Sequence, residues 1–313
     1  MTQPQNTKPL VSILICNYNY GRFIATAIDS ALAQTYPNIE IIVVDDGSTD
    51  NSREVIESYS DRVRAIFQQN GGQSSAFNAA FAASSGEIIC LLDSDDFFLA
   101  DKVAKAVQGY AKNPSAKWLF HPLHRVHESD GNMGIQEPLG DSRILDYRRR
   151  TNKFTAPPTT GLTFLRSTFA RMVPLPEKVR IVADNYMKFV SMALYPGFYL
   201  TEPLGVLLLH GKNAYSMGVT KDRRARSDIE IASAIRSHFP NLTPQADRLI
   251  SITLAKYWRL PQCDAPTAER QRAYLRDSSV TSKARIYAGA AFRCLKRSTL
   301  GVTPFVHETK VRA

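Results

Sequence analysis

Two short runs of carboxylates are where this sequence could do chemistry: Asp45-Asp46 and Asp93-x-Asp95-Asp96. Carboxylates this close repel one another, and a bound divalent cation relieves that repulsion. Mg²⁺ or Mn²⁺ typically takes one or two carboxylates together with phosphate oxygens of a substrate. A cation held so would neutralise charge on a departing diphosphate. The same aspartates also suit a solvated acidic turn that caps the following helix, with Asp101 nearby. Asp45-Asp46 suits hydrogen bonding to a base or ribose. With Gly47, Ser48 and Asp50 beside it, it equally suits a turn and helix cap. His121, His124 and His127 recur every three residues. Pro122 and the strand-like setting spread them over opposite faces, which disfavours a zinc site.

Some chemistries are disfavoured by what the chain lacks. It has neither G-x-G-x-x-G nor G-x-x-x-x-G-K-[ST], so a dinucleotide dehydrogenase or a P-loop ATPase does not fit. It has no G-x-S-x-G elbow of a serine hydrolase.

The elements that must position these residues alternate in type. Val11 to Cys16 is a buried-type strand that ends in Asn17-Tyr18-Asn19-Tyr20-Gly21. Ile24, Ala27, Ile28, Ala31 and Leu32 then mark one face of a helix, stopped before Pro37. Ile39 to Val44 is a second strand, ending at Asp45-Asp46. Ser48, Thr49 or Asp50 caps the next helix. Val63 to Phe67 is a third strand, Gly71 to Ser75 a turn and cap, and Ala76 to Ala83 a small-residue helix. Ile88 to Leu92 is a fourth strand, ending at Asp93. Continuous apolar strands alternating with helices predict a mostly parallel sheet covered on both faces. Ligands bind such sheets beyond the carboxyl ends of the strands. Three of those ends carry polar clusters. Beyond them we expect strands over 118–126, 162–165, 197–200 and 204–209, a turn over 129–132, and a helix from Ala183 to Leu194. From Thr220 onward the pattern is helical and basic.

The 313 residues are 44% hydrophobic and 22% charged, which suits a normally packed α/β chain. The formal charge of +10 favours anionic partners. Cys16, Cys90, Cys263 and Cys294 are widely spaced and form no C-x-x-C pair, as expected of reduced thiols in a cytoplasmic protein. Met1 to Pro9 is polar with no signal core, and no run is long enough for a membrane span. We expect a disordered N-terminus over 1–9, an α/β region over 10–219 and a helical extension over 220–313.

From Val11 to Phe98 the chain resembles the family 2 glycosyltransferases of GT-A fold. The landmarks are VSILICNYNYGRFIATAIDSALAQTY, IEIIVVDDGSTDNS, QNGGQSSAFNAAFAASSGE and IICLLDSDD, four ordered motifs at strand ends. The resemblance implies a Rossmann-related fold and an inverting, metal-dependent transferase, with a nucleotide-sugar-binding half over 10–115 and an acceptor-binding half of the same domain over 116–219. Asp46 and Asp45 would contact uracil or another base. Cys16, Asn17 and Tyr18 would line the base pocket, largely through backbone. Asn70, Gly72 and Asn78 would shape the nucleotide loop, although Asn78 fits a structural helix residue as well. Asp93 and Asp95 would join the donor site, with Asp95 on the ribose. Asp96 would meet Mn²⁺ or Mg²⁺, with Asp95 and His210 as further candidate ligands.

The later chain resembles the family more loosely. Thr159 to Arg166 looks like its acceptor-side loop and strand. Ala183-Asp184 stands where the family carries an acidic pair, with Asp184 as catalytic base and alanine in place of the usual glutamate. Asp184 also suits a helix N-cap. His210-Gly211-Lys212-Asn213 resembles the closing segment, where His210 would meet metal or pyrophosphate or serve structure alone. No Q-x-x-R-W motif occurs, which favours one sugar per acceptor. The resemblance implies a UDP-, GDP- or dTDP-sugar donor, a glycan or lipid-linked acceptor, and a role in surface polysaccharide or glycoconjugate assembly. Rival readings are a nucleotidyltransferase, which the missing glycine-rich, lysine-bearing loop counts against, and a non-catalytic nucleotide-sugar-binding protein.

Late in the chain Arg223, Arg224, Arg226, Arg270, Arg272, Arg276, Lys283, Arg285, Arg293, Lys296 and Arg297 gather charge. Ile286, Tyr287, Ala290, Phe292 and Leu295 interleave with them. Such a segment suits peripheral contact with an anionic membrane, on its inner face, or a solvated helix face packed on the domain. No nucleic-acid-binding module accompanies the charge.

Overall fold

A computed structural model describes residues 8–129, 131, 133–135, 141–146, 157–211, 213, 220–257 and 263–299. The expected disorder before residue 8, Asp130 and Asn132 of the expected turn, and Lys212 lie outside the described residues. So do the side chains of Lys296 and Arg297.

The chain divides into two compact units, Met1–Asn213 and Ala214–Ala313. In the first, the apolar runs become β1 (Val11–Asn17), β2 (Ile39–Asp45), β3 (Arg64–Phe67) and β4 (Ile88–Asp93). Between them run α1 (Ile24–Leu32), α2 (Ser52–Glu57) and α3 (Gln73–Ala83). There follow β5 (Phe97–Phe98), α4 (Lys102–Lys112), β6 (Trp118–Phe120), β7 (His124–His127), β8 (Met133–Ile135) and β9 (Arg143–Leu145). A 3-10 turn at Thr159–Gly161 leads into β10 (Leu162–Leu165) and α5 (Arg166–Phe169). Last come α6 (Ala183–Leu194), β11 (Gly197–Tyr199) and β12 (Gly205–Leu209).

The main sheet has eight strands in the order β3-β2-β1-β4-β10-β6-β11-β9. Strands β1 to β4 are mutually parallel, whereas β10 runs antiparallel to both its neighbours. The order reverses between β1 and β4, which places the ligand crevice of such a sheet at their carboxyl ends. A second sheet, β5-β12-β7-β8, carries the later strands.

Side chains alternate across these strands, so one face of the sheet is Ile13, Ile15, Ile41, Val43, Cys90 and Leu92. They pack with Ile24, Ala27 and Ile28 of α1 and Val103 and Ala106 of α4. Helix α3 contacts β1 and β2. Its small residues Ala76 and Ala80 are buried, which allows the close approach the sequence predicts.

The single strand expected over 118–126 is two strands in different sheets. Pro122 has no N–H to give a ladder, and the chain leaves the first sheet at His121. His121 keeps its backbone N–H on Gly161 O at 3.1 Å and points Nδ1 at Pro122 O, 2.9 Å away. His124 and His127 lie in the second sheet instead. Among its described residues the second unit holds four α-helices: α7 (Lys221–His238), α8 (Thr243–Tyr257), α9 (Ala265–Arg276) and α10 (Val280–Thr299), with a 3-10 turn at Pro240–Leu242 between the first two. No helix among the described residues is long and apolar enough to cross a membrane.

Candidate active site

Strand register brings the polar clusters onto one edge. Asn17 pairs with Asp45 across β1 and β2, and Cys16 with Asp93 across β1 and β4. Sequence-distant residues become neighbours because parallel strands of similar length end together.

Asp45 holds the turn that follows it. Its Oδ1 accepts from Asn17 Nδ2 at 2.9 Å and from the Ser48 hydroxyl, and its Oδ2 accepts from the Ser48 N–H at 3.0 Å. Asp46 faces the opposite loop. It accepts from Gln68 Nε2 at 2.7 Å and from the N–H groups of Gly71 and Gly72 at 2.9 and 2.8 Å. Both carboxylates are buried, so each shapes the pocket as well as facing it. Asn17 is buried too, and its Oδ1 has no hydrogen-bond partner. A buried carbonyl oxygen left so is costly and fits a donor group on a bound ligand. Burial, aided by the charges of Asp93 and Asp46, pushes the Cys16 thiol up, so it stays neutral. Tyr18 is exposed.

Gly72 joins the two halves of this unit. Its φ of 89° and ψ of 170° belong to a region that only glycine enters readily. Arg180 lies directly against it. The Arg180 carbonyl accepts from Gln73 N–H at 2.8 Å, and its guanidinium donates to Asn70. Asn78, expected with the nucleotide loop, is committed elsewhere. Its amide donates to Leu175 O at 3.0 Å and accepts from Leu175 N–H at 2.6 Å. That exchange is the structural role weighed beside the nucleotide loop: both ends of the Asn78 side chain tie α3 to the segment before α6.

The Asp93 to Asp96 run separates by role. Asp96 is buried, with Oδ2 taking the Thr160 hydroxyl and Oδ1 the Leu208 N–H. Both oxygens thus fasten the turn to the 3-10 turn and to β12, an arrangement that argues against Asp96 as the metal contact. Asp95 instead reaches across the crevice. Its Oδ2 lies 3.1 Å from His210 Nε2 and accepts from Asn213 Nδ2 at 3.1 Å. His210 is fixed by stacking on Phe23, ring centroids 4.3 Å apart, and by its N–H bond to Asn213 Oδ1. Burial pushes the Asp93 carboxyl up, reinforced by the charges of Asp95 and Asp184. Asp96 is pushed up by burial and then by Asp95 and Asp93. This is an excess of buried negative charge that a cation would relieve.

Among the described residues, no three His, Cys, Asp or Glu side chains group as a metal cage. Asp95 and His210 make a two-residue half-site, which fits a Mg²⁺ or Mn²⁺ completed by substrate phosphate oxygens and water.

Asp184 comes from the first turn of α6. The residue just before the helix, Val182, has φ 55°. A β-branched residue is a conformational outlier there, which the surroundings must enforce. The Ala183 N–H donates to Gln73 Oε1 at 2.8 Å, tying the start of α6 to the start of α3. Asp184 Oδ2 accepts from Lys188 Nζ at 2.8 Å, and Lys188 also donates to Pro157 O. Lys188 and Gln68 are site residues that strand-end reasoning missed, while Thr160 and Asn213 lie in segments singled out in the sequence without a role for those two. The one signal for Lys188 was its i+4 spacing from Asp184 on a helix.

Comparison with known proteins agrees with the geometry. The profile of glycosyl transferase family 2 matches residues 12–171. An uncharacterized glycosyltransferase of Nostoc sp. is 36% identical over 235 residues, covering 71% of this chain and 72% of that protein. The fold is similar to that of S. aureus TarS in complex with UDP-GlcNAc, with a TM-score of 0.61 and 17% identity over 89% of this chain and 79% of that one. It is also similar to a Pyrobaculum calidifontis mannosyltransferase in complex with GDP-Man and Mn²⁺. There the TM-score is 0.51 and the identity 17%, over 93% of this chain and 88% of that one.

Proposed function

This chain belongs to glycosyl transferase family 2 and is a glycosyltransferase, and we propose that it transfers one sugar per acceptor from a nucleotide-diphosphate donor with inversion. The observation that carries the proposal is the pairing of Asp95 with His210, together with the charges of Asp95 and Asp184 acting on Asp93, at the crevice where the strand order reverses.

The base lies against Asn17 and Tyr18, with Asp45 and Asp46 holding the pocket walls. Asn17 Oδ1 accepts from the base. Asp93 contacts the ribose side of the donor. Asp95 and His210 would hold a divalent cation, and Asp96 holds the turn that presents Asp95. When bound, that cation supplies positive charge against the donor diphosphate.

Asp184 is the general base. Lys188 occupies its Oδ2, which leaves Oδ1 to accept the proton of the acceptor hydroxyl. The acceptor oxygen forms its bond to the anomeric carbon as the carbon–oxygen bond to the diphosphate breaks. The electron pair leaves with the diphosphate. Attack and departure in line invert the centre. The support for a nucleotide-sugar donor is the GT-A-like fold, whose solved examples include complexes with UDP-GlcNAc and with GDP-Man. The acceptor is a glycan or lipid-linked glycan of a surface polysaccharide or glycoconjugate.

Asp184→Asn removes the base and keeps the shape. It should bind UDP as the wild type does and lose transfer by about 10²–10⁴-fold. Transfer at the wild-type rate would refute the assignment of Asp184.

A further inference from the structure

Charge is divided very unevenly between the two units. Residues 1–213 hold 21 Lys and Arg and 21 Asp and Glu, a balance of zero. Residues 214–313 hold 18 Lys and Arg against 8 Asp and Glu, and so carry the whole formal charge of +10. Between Asp277 and Glu308 no carboxylate occurs at all, while Lys283, Arg285, Arg293, Lys296 and Arg297 fall in that stretch.

Helix α10 lies within it. One side is spent on the unit's interior: Ile286 and Ala290 are fully buried, and Gly289 lies close to Ser251 of α8. The other side is apolar and exposed. Val280 is 84% exposed, Tyr287 46%, Phe292 65% and Leu295 66%. Ala284 and Ala288 are exposed between them. At about 100° per residue these six positions fall within an arc of roughly 140°. Lys283 borders that arc. Large side chains on a soluble surface usually lie singly, and a contiguous stripe marks a contact.

We infer that the exposed face of α10 is a membrane-contact surface, which lies in the plane of an anionic phospholipid bilayer with Tyr287, Phe292 and Leu295 among the acyl chains. Charge complementarity selects this occupant. A cationic segment free of carboxylates gains from each anionic headgroup near it. Arg285 is paired with Asp247 of α8, but α10 itself holds cations and no carboxylate, so pairing it with α10 of a second copy would bring like charges together with no acidic partner on either helix. Helix α10 spans 20 residues, but its cations and its buried side suit it to lie on the bilayer rather than cross it.

The test is sedimentation of the full chain with vesicles of phosphatidylglycerol and phosphatidylethanolamine, and with vesicles of phosphatidylcholine alone. The protein should pellet with the first and stay in solution with the second, and raising the salt should weaken the binding. Phe292→Glu with Leu295→Glu should cut the bound fraction about tenfold or more without changing helical content by circular dichroism or donor binding. Should that pair misfold, Val280→Gln with Leu295→Gln gives a milder decrease on the same assay. Equal pelleting of variant and wild type would overturn the inference, as would failure of the wild type to bind anionic vesicles. A dimer of the wild type that the same substitutions convert to monomer would overturn it in favour of a second copy. Because this surface is read without reference to the crevice, a catalytically silent protein would leave the vesicle result unchanged.

Discussion

Gly72→Ala is a one-carbon change whose cost follows from the backbone. At φ 89° and ψ 170°, an L-residue costs about 1–3 kcal/mol. The added Cβ would also lie 2.8 Å from Arg180 Cα and Cβ and 2.9 Å from Arg180 O. A backbone neighbour cannot rotate away, so overpacking adds about 1–3 kcal/mol. The chain relieves both by withdrawing the 179–182 segment or turning the 71–72 peptide. Either movement strains the Gln73–Arg180 bond or the bond from the Gly72 N–H to Asp46. A hydrogen bond to a charged group contributes roughly 1.5–3 kcal/mol, so UDP affinity should fall about 10–100-fold. Calorimetric titration with UDP and a thermal melt, run on the same preparation, measure the two effects. A variant that melts and binds UDP like the wild type would refute the reading of Gly72 as the joint between Asp46 and Arg180.

Two further predictions follow from buried groups. Burial, with the charge of Lys102 beside it, lowers the pKa of His121 from 6.5 to about 3. The folded state therefore refuses a proton that the unfolded state takes up below pH 6.5. The His121 contribution to stability is thus present above pH 6.5 and is lost as pH falls toward 3. Between pH 6.5 and 4.5 the loss is roughly 2.5 kcal/mol. Urea melts across that range should show a flatter pH dependence for His121→Asn than for the wild type; parallel curves would contradict the shift. Lys188→Met frees Asp184 Oδ2, and kcat should fall about tenfold or more with donor binding unchanged, while Lys188→Arg recovers part of the rate. Equal kcat in Lys188→Met would show that the pair only packs.

The parallel half was legible because its signals are local. Val11–Asn17, Ile39–Asp45 and Ile88–Asp93 are apolar runs that end in polar residues, and strand period and length suffice to place them. Their shared register then follows from parallel pairing, so the convergence of Asn17, Asp45 and Asp93 was readable before any coordinates. What the sequence hid is long-range. Nothing near Asp96 announces that Thr160 and Leu208 occupy its oxygens, or near Asp95 that His210 and Asn213 lie opposite. Adjacent aspartates look alike in one dimension, and only tertiary partners separate Asp95, which faces His210, from Asp96, which braces the turn. The break at Pro122 was visible as a residue, but the transfer of the strand to a second sheet depends on where β12 and β5 lie. Which of its two readings Asn78 takes was hidden for the same reason, since its partner is 97 positions away.

The account stands most directly on which aspartate holds the cation. Mn²⁺ titrations of the UDP complex, followed by electron paramagnetic resonance, should be run on wild type, Asp95→Asn and Asp96→Asn. The geometry predicts that Asp95→Asn weakens Mn²⁺ binding by about tenfold or more, whereas Asp96→Asn lowers thermal stability and keeps near-wild-type Mn²⁺ affinity. A well-folded Asp96→Asn that has lost the metal, beside an Asp95→Asn that retains it, would contradict the account.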